Sequence, residues 1–79
     1  MTLLVRQLLE TIDAYLAASK TAEKTLSFRM FGDSKTIGLL RGGADITTSR
    51  LENSLCWLSE NWPSGAAWPR GVRRPRAAA

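Results

Sequence analysis

The chain has 79 residues, with eleven Lys and Arg, seven Asp and Glu, no histidine and one cysteine, Cys56. That length makes one domain whose core is modest and whose stability from packing alone is marginal, so a partner or a second copy is a natural supplement. Without histidine or a second cysteine there is no zinc finger, no intramolecular disulfide and no His-based acid–base or nucleophilic set, and a reducing, cytoplasmic compartment is expected.

The first twenty residues, MTLLVRQLLETIDAYLAASK, repeat apolar side chains at three- and four-residue steps through Val5, Leu8, Leu9, Ile12, Tyr15 and Leu16. Polar residues fill the other side, which predicts an amphipathic helix from about Leu3 to Ser19. Arg6, Glu10 and Asp13 inside the pattern rule out a secretory h-region or a membrane span, and a soluble protein is expected.

Thr21 is the expected cap of a second helix, of the simple kind because Lys24 stands where a capping box needs Glu or Gln. Leu26, Met30 and Phe31 face inward in this reading, and Gly32 supplies the left-handed residue that ends the helix after about three turns. A third helix is capped by Asp33 or Ser34, anchored by Ile37, Leu40 and Leu39, and stopped by Gly42-Gly43. Gly38 inside it costs about 1 kcal/mol relative to alanine, and serves either close helix packing or close approach to a phosphate. A fourth helix follows a cap at Thr47 or Thr48, carries Leu51, Leu55, Leu58 and Trp62 on one stripe, and ends at Pro63.

From Pro63 the text PSGAAWPRGVRRPRAAA has no apolar period. It predicts an extended or disordered arm over 64–79, pinned at most by Trp68, beyond a helical body over 1–63. Charge divides at the same place. Arg6, Lys20, Lys24, Arg29, Lys35, Arg41 and Arg50 balance Glu10, Asp13, Glu23, Asp33, Asp45, Glu52 and Glu60 in the body, so the net +4 resides in Arg70, Arg73, Arg74 and Arg76. A basic arm of this kind suits a polyanion, or serves only as a solvated end.

The fold class expected is therefore all-α, a compact four-helix domain with a basic Pro/Arg-rich C-terminal arm. Its two short central helices, split by Gly32, have the layout of a helix-turn-helix, in which the leading turn of the second helix enters the major groove. Ser34, Lys35 and Thr36 occupy that leading turn as base-reading candidates, and Lys35 can reach guanine O6 or N7, or a phosphate. Ser34 has a second role open to it as an N-cap, and Arg29 and Arg41 serve either as phosphate contacts or as a solvated face.

The string Ser27-Phe28-Arg29-Met30-Phe31-Gly32-Asp33, with Ile37, Leu40-Arg41, Gly43, Thr47-Thr48 and LENSLCWLSENWP, resembles the small helix-turn-helix regulators of bacteria and phages of the λ-repressor-like (XRE-like) class. The likeness covers about residues 21–63. It implies a phosphate contact at Ser27 and base reading from Ser34, Lys35 and Thr36. Residue 28, usually polar in that layout and often on the DNA backbone, is here Phe28, which turns inward or offers an apolar contact to another subunit.

The arm PRGVRRPR is similar to Arg/Pro/Gly segments that lie in the minor groove, and Arg70, Arg73, Arg74 and Arg76 would add phosphate attraction that the neutral body lacks. Trp57 and Trp62 read as hydrophobic packing and Cys56 as a small core residue. Scattered single acids and the absence of a phosphate-loop Lys-Ser/Thr argue against an enzyme, and no cofactor, metal or small-molecule ligand is expected. The function expected is a cytoplasmic, nucleoid-associated transcriptional regulator binding specific double-stranded DNA as a homodimer. The alternative is an antitoxin-like or adaptor module that binds a protein through Phe28, Trp57 or Trp68.

Overall fold

A computed structural model describes residues 3–74. They form four helices and no strand: α1 (Leu3–Ser19), α2 (Glu23–Phe31), α3 (Thr36–Arg41) and α4 (Thr48–Glu60). The long α1 lies against α3 and α4, and α2 packs on α3 and α4. One core results, built from Val5, Leu8, Leu9, Ile12 and Tyr15 of α1, Leu26 of α2, Ile37 and Leu40 of α3, and Leu51 and Leu58 of α4. The apolar stripe of α1 matches its sequence period, and the one buried polar side chain on it, Thr11, satisfies itself by donating to the Gln7 carbonyl at 2.9 Å.

Local chemistry explains the boundaries. Lys20 turns the chain with φ 56° and donates its N–H to the Leu16 carbonyl. The expected Thr21 cap is replaced: Thr21 accepts the Ser19 hydroxyl at 2.9 Å, Ala22 takes the N-cap position without a side-chain bond, and Glu23 supplies the negative charge that suits a helix N-terminus. Gly32 ends α2 as expected, with φ 74° and its N–H on the Phe28 carbonyl at 2.8 Å.

The third helix starts later than the sequence suggests. The Asp33 carboxylate accepts from the Lys35 N–H at 2.8 Å, closing a side-chain-mediated turn that holds Ser34 and Lys35 outside the helix and delays its first residue to Thr36. At its far end the left-handed residue is Gly43, φ 105°, while Gly42 keeps helical angles. Thr47 caps α4, its hydroxyl accepting from the Arg50 N–H at 3.2 Å.

From Asn61 to Arg74 the chain has no helix or strand, yet it is not a free arm. Trp62 donates its indole N–H to the Ala66 carbonyl and Trp68 to the Val72 carbonyl, each at 2.8 Å, so two short loops are closed by side chains. The Trp62 and Trp68 rings meet at 4.7 Å between centroids, and Trp57 and Trp62 each lie about 6 Å from the Tyr15 ring. Val72 is 7% exposed, and Gln7 of α1 reaches the Gly71 carbonyl at 3.3 Å. Residues 64–74 thus cover the α1–α4 side of the core, and the expected separation of body and arm at Pro63 is corrected to that extent; residues 75–79 lie outside the described range.

Candidate functional site

The junction of α2 and α3 is organised by one hydroxyl. Ser27 is fully buried; its Oγ donates to the Asp33 carbonyl at 2.5 Å and accepts from the Ile37 N–H at 3.2 Å. Ile37 and Leu40 insert into the core beside it, which fixes the pose of a helix too short to hold itself. The phosphate contact expected at Ser27 is therefore corrected: its hydroxyl is out of reach of a ligand, and both its donor and its acceptor function are already used.

Outward from that junction lie Ser34 and Lys35, both exposed, and Thr36, half-buried at the first turn of α3. Arg29 is exposed on α2. Sequence reasoning missed one further feature of this surface. Leu39, expected as an anchor, is 59% exposed because it points away from the face shared by Ile37 and Leu40. Gly38 is exposed too, and a Cβ built on it meets no atom within 4 Å, so internal packing does not require glycine there. Of the two readings the sequence leaves open for Gly38, close helix packing and close approach to a phosphate, this open space speaks against the first. Phe28 is the other apolar side chain left outside, 63% exposed, which settles its direction as outward.

Arg41 serves a different purpose from the one expected. Its guanidinium bonds to the Asp13 carboxylate of α1 and to the Glu23 carboxylate of α2, each at 2.6 Å, and so clamps three helices. The hydrogen bond to Asp13 raises the Arg41 pKa above its ordinary value, against the opposing effect of partial burial and with further help from Glu23. With two carboxylates already on it, Arg41 is no free phosphate contact.

Arg73 and Arg74 lie against other elements than Ser34, Lys35 and Thr36. Arg74 donates to the Ser59 hydroxyl at 3.0 Å and to its carbonyl at 3.2 Å, and lies over the Trp68 ring at 5.1 Å. Arg70 and Arg73 are exposed, Arg73 beside α1 and α4, while Arg76 lies outside the described residues. Among the described residues there is no cluster of three or more potential metal ligands, and no helix is long and apolar enough to cross a membrane. No family model matches the chain, and neither a curated protein nor a solved structure is significantly similar to it.

Proposed function

We propose that the protein is a sequence-specific double-stranded-DNA-binding regulator that works as a homodimer, with α2 and α3 as a helix-turn-helix and the 34–39 surface as its reading edge. The observation that carries this reading is the Ser27 junction: it fastens α3 to the core by its inner face and leaves Ser34, Lys35 and the bare backbone at Gly38 turned outward. In this role Lys35 meets a base edge, Ser34 and Thr36 add short hydroxyl contacts, and Arg29 holds a phosphate. Gly38 lets the duplex come close to the helix backbone, which offsets its cost to helix stability. Arg70 and Arg76 supply sequence-independent attraction to the polyanion.

Selection of the purified full chain on a random DNA pool tests this. The reading expects enrichment of a two-fold symmetric site and affinity that falls steeply with salt. Failure to enrich any sequence, with retention indifferent to DNA, would favour the second reading, an antitoxin-like or adaptor module. Phe28 and Leu39, exposed on α2 and α3, are the observations that support that alternative.

A further inference from the structure

A groove of about 430 Å³ opens between the start of α1, α4 from Thr48 to Cys56 and the segment returning after Pro63. Leu4, Leu51, Leu55 and Val72 make its apolar lining, and Glu52 and Arg73 also face it. The apolar surface continues past the rim, with Leu3 68% and Leu4 52% exposed. Glu52 and Arg73 are both exposed, and neither has an ion-pair partner among the described residues.

One acid and one base on the same apolar groove are charge-neutral together, which suits neither a polyanion nor a strongly charged peptide. They are complementary to each other across a two-fold axis, where every contact occurs twice with the roles exchanged. We propose that a second copy of this chain covers the groove, Leu3 and Leu4 of each copy entering the apolar lining of the other while Glu52 of each meets Arg73 of the other. Leu4 and Asp13 are nine residues apart on α1, about two and a half helical turns, so the groove side of α1 is turned away from the side that holds Arg41 of α3. None of Ser34, Lys35 and Gly38 lines the groove. The inference stands on the groove's own chemistry and is tested without DNA, so its failure and that of the DNA-binding reading are separable.

The test is the molar mass of the full chain in solution, followed across concentration for the wild type, Glu52→Arg, Arg73→Glu and an equimolar mixture of the two variants. Both positions are solvent-exposed, and far-ultraviolet helicity checks that the variants fold. The wild type is expected to dimerise. Each variant alone places like charges opposite one another twice, and should weaken the dimer by more than about tenfold. Their mixture should restore it, because in a mixed pair every charge faces its opposite. Leu4→Ser, which changes no charge, should also weaken the wild-type dimer. A wild type that stays monomeric, single variants that dimerise as the wild type does, a mixture that stays monomeric, or a Leu4→Ser dimer of undiminished stability would each overturn the proposal.

Discussion

The N–H of Ile37 donates to the hydroxyl of Ser27 across 3.2 Å, joining the start of α3 to the buried face of α2 ten residues earlier in the chain. The same hydroxyl donates to the Asp33 carbonyl, so the turn between the helices is held at both ends by one side chain. A six-residue helix has little stability of its own. Its pose depends on this junction, on Ile37 and Leu40 in the core, and on the Arg41 clamp at its far end.

Ser27→Ala should therefore act on stability. It leaves the buried Ile37 N–H without its acceptor, at a cost of about 1–3 kcal/mol. Denaturant unfolding should show a lower midpoint. If the variant were as stable as the wild type and instead lost DNA affinity alike on every sequence, Ser27 would be a phosphate contact after all.

Trp68 gives a second expectation of the same kind. Its ring packs on Trp62, receives Arg74 and stands against the core. Full truncation of a buried tryptophan costs about 3–5 kcal/mol, and for this half-buried one about 2 kcal/mol is expected for Trp68→Ala. In a domain of this size that lowers the melting temperature by roughly 8–16 °C. Ending the chain after Pro63 should destabilise at least as much, whereas an unchanged melt would show that the returning segment adds nothing to the fold.

The helices of this protein were legible where periodicity or a breaker dominates. The long stripe of α1 and the stop at Gly32 follow from local rules and appear where those rules put them, and of the two cap candidates Thr47 and Thr48 it is Thr47 that caps α4. What was not legible depends on distant partners. Arg41 meets Asp13 and Glu23 across 28 and 18 residues, and no spacing rule announces such a clamp. The start of α3 was missed because Asp33 bonds the Lys35 N–H and delays the helix, a choice between two adjacent polar residues that sequence leaves open. The return of residues 64–74 rests on single indole bonds and one buried valine, which produce no period to read. In the candidate site, the outward positions of Ser34 and Lys35 were foreseen, while the burial of Ser27 and the exposure of Leu39 were not.

Gly38 separates stability from binding. Alanine at this helical, open position should stabilise the fold by up to about 1 kcal/mol. If the duplex approaches the backbone of α3 as proposed, the added methyl should at the same time weaken DNA binding. The check is a thermal melt and a titration on the same Gly38→Ala preparation. A variant that is more stable and binds DNA no less tightly would place the close approach elsewhere.

The central claim, that the start of α3 reads bases, is tested most directly by titrating Lys35→Ala and Arg29→Ala against a selected site and its single-base substitutions at fixed salt. Lys35→Ala should lose about 1–3 kcal/mol of discrimination at one position in each half-site and little elsewhere. Arg29→Ala should lower affinity on every sequence alike and reduce the slope of log affinity against log salt by about 0.9. A uniform loss for Lys35→Ala, equal on the selected site and on random DNA, would contradict the claim and reduce Lys35 to a phosphate contact.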